Sequence, residues 1–216
     1  MCRRCGLPLP SWRATDLDTG ICVRCRRSPG RIDAARAYGS YDGSLRAILH
    51  AFKYGRRQSL ARPLARAMRE SGGDVLRGAD AVVPVPLHPL KHWRRGFNQA
   101  EALALELGPL VLRALCRVRP TPPQWTLRAG ARRRNVTGAF ALSALGLGPA
   151  VLQWVDGLGL VARSRMARAV AGRCLVLVDD VSTTGATLDE CARVLKAAGA
   201  REVRALTAAR ALRARP

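Results

Sequence analysis

The chain is short of acids, of aromatics and of lysine, and each shortage narrows what it can be. Aspartate and glutamate number 15 against 37 lysines and arginines, which leaves a formal net charge of +22 and a pI near 11.5. A phosphorylated small molecule needs only a few cations. A surplus this large fits a polyanion such as single-stranded nucleic acid, held mainly through salt-sensitive phosphate contacts. Only Lys53, Lys91 and Lys196 are lysines; a GC-rich coding bias would produce the same preference for arginine, but it does not account for the missing acids. Aromatics make up 5% of the residues, which excludes an extended platform stacking many bases. No run approaches the roughly 18 apolar residues of a membrane span, and MCRRCGLPLP lacks the apolar centre of a signal peptide. The expectation is a cytoplasmic chain with no membrane insertion. No G-x-x-x-x-G-K-[ST] loop occurs, so an Asp-Asp strand end cannot be the second half of a P-loop nucleotide site.

What is present is more specific. At 216 residues, 48% hydrophobic and 24% charged, the chain is globular, with room for one α/β domain and a small module. Its most informative stretch is CLVLVDDVSTTGATLDEC, Cys174 to Cys191. Leu175 to Val178 form a continuous apolar run, as in a parallel strand covered on both faces. Asp179 and Asp180 follow at its carboxyl end, the edge where open α/β sheets bind ligands. Ser182, Thr183, Thr184, Gly185, Ala186 and Thr187 then make a small hydroxyl-rich loop into a helix whose first N–H groups and positive dipole end are free for an anion. Such a loop suits a phosphate. The adjacent carboxylates suit vicinal hydroxyls or a magnesium ion. Phosphate plus diol describes a ribose 5-phosphate. A competing pattern, a strand at Val151 to Val155 followed by Gly157, Gly159 and Ala162 as G-x-G-x-x-A, would make Asp179 a dinucleotide's ribose ligand, but it leaves the T-T-G-x-T loop unexplained.

The amino-terminal end carries Cys2, Cys5, Cys22 and Cys25, two C-x2-C pairs separated by 16 residues, the ligand set of a structural zinc. The segment has too few apolar residues to fold alone, so metal binding would supply the folding free energy. Two disulfides are the alternative; the absence of a secretory signal favours zinc. Cys116, Cys174 and Cys191 read as ordinary buried cysteines.

From Arg31 to about Gly73 the periodicity is helical, with Lys53 and Arg56 better placed for solvent than for a ligand. Asp80 to Pro86 reads as a second short strand, and His88 to Asn98 as the loop after it. That loop carries His88, Lys91, His92, Arg94 and Arg95 around Gly96, an anion site facing the first one. Asn98 caps a helix running to Leu107. Arg117 to Phe140, rich in Pro, Gly and Arg around Trp125, reads as a long exposed loop or hairpin able to cover a bound nucleotide or a nucleic-acid strand. Glu202 to Ala208 is a further strand, followed by a basic tail.

The T-T-G-x-T strand-loop resembles the 5-phosphoribosyl-1-pyrophosphate (PRPP) motif of type I phosphoribosyltransferases. With the four cysteines, PVPLHxxxxxxRGFNQA, TxPQxxLxxxxRxxNVxGAF and VDDVSTTGAT, nearly the whole chain resembles the ComF family, phosphoribosyltransferase-like proteins linked to bacterial competence. The resemblance implies a parallel-sheet α/β domain over 31–216 with a zinc-ribbon-like module over 1–30, and about 144–163 as an insertion. It implies that Asp179 and Asp180 take the ribose hydroxyls, with or without magnesium, and that Ser182 to Thr187 hold the 5-phosphate. His88, Lys91, Arg94 and Arg95 would form the pyrophosphate loop. Gln124, Arg134 and Asn135 would belong to the mobile region over the site. No residue stands out as a general base. Two function classes stay open: transfer of a phosphoribosyl group to a nitrogen acceptor, or non-catalytic single-stranded DNA binding in DNA uptake with a retained PRPP site.

Overall fold

A computed structural model describes residues 1–8, 19–55, 57–120, 134–143 and 158–211, with side chains from 163 onward in the last group. Two C-x2-C knuckles and a short helix α1 (Val23–Arg27) precede the first strand, β1 (Ala34–Ser40). Then come α2 (Gly43–Tyr54), a 3-10 turn at Gln58–Leu60, α3 (Ala61–Leu76), β2 (Ala81–Pro84), α4 (Pro89–Arg95) and α5 (Gln99–Leu105). A two-stranded antiparallel ribbon follows, β3 (Leu115–Arg117) with β4 (Phe140–Leu142). The chain ends in α6 (Leu158–Val170), β5 (Cys174–Ser182), α7 (Ala186–Ala197) and β6 (Glu202–Arg210). The main sheet is parallel throughout, in the order β1-β6-β5-β2.

Strand β5 is central because its apolar run has no polar face to turn to water. Leu175 and Leu177 pack with Leu188, Cys191 and Leu195 of α7, while Val176 and Val178 pack on the other face with Phe52 of α2, Met68 of α3 and Leu103 of α5. Each such side chain, fully buried, stabilises by about 1.5–3 kcal/mol relative to exposure. The result is a helix–sheet–helix sandwich whose carboxyl edge carries the acid pair. Strand β5 runs past the apolar segment to Ser182, so both aspartates lie within it, paired onto β6 through Asp179 and Thr207.

Three further departures from the sequence reading have physical causes. The stretch expected to be helical from Arg31 contains β1, built from AARAYGS, which has little intrinsic strand preference. Parallel pairing with β6 from Ala34 to Ser40 overrides that weak propensity. Helix α3 continues beyond the expected stop at Gly72-Gly73 to Leu76 with a kink at Gly72, where a Cβ would meet Leu206 Cδ1 at 2.3 Å. The expected loop after β2 is largely α4: His88 caps it, Pro89 opens it with a preset φ, and Gly96 closes it at φ 80°. Asn98 caps α5 as expected, accepting from the Ala100 N–H at 3.1 Å. The proposed strand at 151–155, most of the 144–163 segment, Arg56, Gln124 and Trp125 lie outside the described residues. Among the described residues no helix is long and apolar enough to cross a membrane.

Candidate functional site

A cavity of about 320 Å3 opens at the carboxyl edge of the sheet, and residues from four separate parts of the chain line it. Asp179, Asp180, Thr183 and Thr187 come from β5, the loop after it and the start of α7, Lys91 and Arg95 from α4, Lys53 from the end of α2, and Arg117 from β3. Residues of the loop after β5 and of α4 therefore line one space.

Of the two acids Asp179 is strongly perturbed. Asp180 is 7% exposed and its Oδ2 lies 3.0 Å from Lys53 Nζ. Asp179 Oδ1 accepts the Asp180 N–H at 2.8 Å. Burial, then the neighbouring Asp180 carboxylate, push Asp179 up to about 8. For Lys53 burial favours the neutral amine, but the Asp180 carboxylate outweighs it and leaves the ammonium held above its usual value. This ion pair places α2 in the site. The sequence reading places Lys53 toward solvent, because it stands beside the helix-ending Gly55, and only the tertiary fold brings it to Asp180 of β5.

The loop geometry follows from Gly185, which adopts φ 80° and lets the chain turn from β5 into α7; Thr184 Oγ1 then accepts the Ala186 N–H at 3.4 Å. Opposite it, Arg95 donates to Gln99 Oε1 at 3.0 Å and stacks over the Tyr54 ring at 5.4 Å, so its guanidinium is held at the cavity wall. Lys91 has its ammonium disfavoured by burial and then by the nearby Arg117 and Arg95. His88 is an N-cap, accepting the Leu90 N–H at 3.4 Å, and it does not line the cavity. Arg94 is exposed and also outside it. Arg134 is exposed and Asn135 half-buried in a helical turn before β4. Arg117, a residue missed from sequence, stacks over Phe140 at 5.3 Å; burial lowers its pKa.

The amino-terminal cysteines form one cluster. The sulfurs of Cys2, Cys5, Cys22 and Cys25 lie within 4.8 Å of one another, Cys5 and Cys22 at 3.8 Å, and none is bridged. A tetrahedron with metal–sulfur bonds near 2.3 Å has edges of about 3.8 Å. The set therefore fits a metal ion and not a pair of disulfides. Burial works to raise the thiols of Cys2, Cys5 and Cys25. Backbone donors led by the Cys22 N–H instead bring Cys2 down to about 6, while Cys5 and Cys25 stay raised, so these two resist ionising unless a cation joins them.

Comparison with known proteins agrees with this geometry. Residues 94–215 match the family described as phosphoribosyl transferase domain. The DNA utilization protein YhgH of Escherichia coli (strain K12) is 32% identical, the alignment covering 94% of this chain and 81% of that protein. YhgH of Salmonella typhimurium is likewise 32% identical with the same coverage. Competence protein F of Haemophilus influenzae is 30% identical over 88% of this chain and 78% of its own length. With a phosphoribosyltransferase-type domain over its carboxyl-terminal part, four clustered cysteines at the other end, and relatives that extend across nearly its full length, the chain belongs to the ComF family.

Proposed function

We propose that the cavity binds PRPP and that the protein transfers its phosphoribosyl group to a nitrogen acceptor with release of pyrophosphate. The observation that carries this reading is the convergence, on one space of about 320 Å3, of the acid pair with Lys53, Thr183 and Thr187 of the T-T-G-x-T loop, and Lys91 with Arg95. Thr183, Thr184, Thr187 and the α7 N–H groups suit the 5-phosphate; Asp179 and Asp180 suit the 2- and 3-hydroxyls. Lys91, Arg95 and Arg117 suit the pyrophosphate, as close cations stabilise a developing anion in a partly dry site.

The reaction needs no protein nucleophile. The C1–oxygen bond to pyrophosphate breaks with its electron pair on the leaving group, the acceptor nitrogen's lone pair forms the C1–N bond, and the acceptor's proton goes to solvent. The protein contributes orientation and charge stabilisation. The half-buried Asp179 and buried Asp180 carboxylates also fit a magnesium ion, which when bound would neutralise the diphosphate's charge. In this reading residues 1–30 are a zinc-dependent module and 31–216 the phosphoribosyltransferase-like unit. Asp179→Asn with Asp180→Asn should abolish PRPP binding measured by calorimetry, and acceptor-dependent pyrophosphate release with it. Wild type that binds PRPP but releases no pyrophosphate with any nucleobase or amine would reduce the protein to a binder.

A second reading, single-stranded DNA binding in DNA uptake, is favoured by one observation: Trp93 is 83% exposed on α4, between the exposed His92 and Arg94. An aromatic face among cations stacks a base and holds its phosphates. The names of the relatives, DNA utilization protein and competence protein, point the same way. Affinity for an oligothymidylate should fall steeply with salt and drop about tenfold in Trp93→Ala, the loss of one stacked base. Salt-independent binding, or a Trp93→Ala variant that binds like wild type, would remove this reading.

A further inference from the structure

The four-cysteine module does not sit apart from the phosphate loop; it packs against its back. Cys5 and Cys25 share a cavity of about 210 Å3 with Thr184, Gly185 and Asp189. Three links cross the seam. Asp189, in the first turn of α7, accepts the Arg31 backbone N–H at 2.6 Å, and its other oxygen lies 3.5 Å from the Arg31 guanidinium. The Arg24 guanidinium of α1 donates to the Thr184 carbonyl at 3.4 Å. At the end of β6, Arg210 donates to the Cys5 carbonyl, and the next residue, Ala211, donates from its N–H to the Ser182 carbonyl at 2.9 Å. The partner segment of Asp189 is itself tied to the knuckles: Arg4, between Cys2 and Cys5, donates to the carbonyls of Gly30 at 2.6 Å and Ile32 at 3.2 Å.

We infer that Asp189 is a positioning residue for the 5-phosphate loop and that the module, folded on its metal, is what holds Asp189. The inference rests on the reading of T-T-G-x-T as a phosphate site. A carboxylate in the first turn of a phosphate-binding helix is a liability, since it adds negative charge where the ligand brings its own. Its two bonds to Arg31 turn it outward and neutralise it. The approach is close: a Cβ at position 30 would meet Asp189 Oδ1 at 2.8 Å, so a side chain there would displace the carboxylate. If the knuckles lose their metal, the segment 24–31 loses its frame, because so short a stretch has little apolar surface to fold it. Arg31 and Arg24 then no longer restrain the loop, the competent loop conformation becomes a fraction of the population, and apparent phosphate affinity falls by that fraction.

Two probes separate this from general damage, because ribose 5-phosphate engages the loop and inorganic pyrophosphate engages the α4 side. On the full-length, metal-loaded chain, Asp189→Ala should weaken ribose 5-phosphate about tenfold, as expected for losing one charge-assisted hydrogen bond, and leave pyrophosphate affinity within about twofold. Stripping the metal with a chelator should weaken ribose 5-phosphate at least as much in wild type and add little in Asp189→Ala. Amide hydrogen exchange at 183–189 should quicken in both cases. Unchanged ribose 5-phosphate affinity in both, or equal losses for the two probes, overturns the inference. Should wild type bind no ribose 5-phosphate at all, the phosphate reading itself fails, and the exchange rates still decide the clamp: loop amides indifferent to metal removal overturn it.

Discussion

Replacing Lys53 by methionine tests the electrostatics of the cleft without a ligand. Methionine keeps most of the side-chain volume and removes the charge, so what remains is Asp180 facing Asp179 with its 3.0 Å cationic partner gone. Both members of the pair are largely shielded, with side-chain exposures of 16% and 10%, and breaking such a buried pair costs about 3–5 kcal/mol. Proton uptake sets a ceiling on the loss. A carboxyl with an ordinary pKa near 3.9 costs about 1.4 kcal/mol per pH unit to protonate, so one extra proton on the pair costs about 4 kcal/mol at pH 7 and about 1.5 kcal/mol at pH 5. The sign follows: the folded variant holds a proton that the unfolded chain releases, so its stability is full below pH 4 and is lost as pH rises. The proton on Asp179 is common to wild type and variant and cancels in the comparison. Urea unfolding of both proteins at the two pH values, at one salt concentration and metal-loaded, should show a deficit of about 4 kcal/mol at pH 7 that shrinks by more than half at pH 5. A deficit below about 1 kcal/mol at pH 7, or one that is the same at both, would refute the buried ion pair.

The raised Asp179 also makes ligand binding depend on pH. If a diol or magnesium requires its ionised form, affinity for magnesium–PRPP should climb by up to about tenfold per pH unit and level off above about 8, with proton release visible in buffers of different ionisation heat; a flat profile between pH 6 and 8 would count against a role for Asp179. Elemental analysis should find about one zinc per chain, lost in Cys5→Ser; full zinc retention would place the metal elsewhere. Gly72→Ala should destabilise by about 1–3 kcal/mol, because its Cβ would strike the buried Leu206 at 2.3 Å. Gly73→Ala meets nothing within 4 Å and should be neutral or stabilising by about 0.5–1 kcal/mol; thermal melts of the two that do not differ would argue against the close packing of α3 on β6.

Much of the site was legible because its parts are local. The apolar run of β5, the T-T-G-x-T loop and the start of α7 are contiguous, and each announces itself through residue type. The C-x2-C pairs do the same for the cysteine cluster. What failed to show was assembled by the fold. Lys53 ends an amphipathic helix and is marked by nothing local as a partner of Asp180. Arg117 sits in a three-residue strand whose pairing with Phe140 spans the chain between them. Strand β1 is alanine-rich, and only its neighbour β6 makes it extended. Helix α4 was readable in principle, since Pro89 at the first position and Gly96 after the last form a start and stop pair, but its run of cations reads more readily as a loop.

The outer strand of the sheet gives the cysteine knuckles one more consequence. Strand β1 lies at the edge of the order β1-β6-β5-β2, and the open side of an edge strand is a template for pairing with another molecule. Here the first knuckle lies along that side: the Ala35 N–H donates to the Arg4 carbonyl at 2.7 Å, and Arg36 donates to the Arg3 carbonyl at 3.0 Å. With a metal on its cysteines, the knuckle would double as a guard on colloidal behaviour. Chelation should bare the strand and bring concentration-dependent light scattering even at low temperature, and a stripped protein that stays monomeric at high concentration would show that the strand needs no such cover.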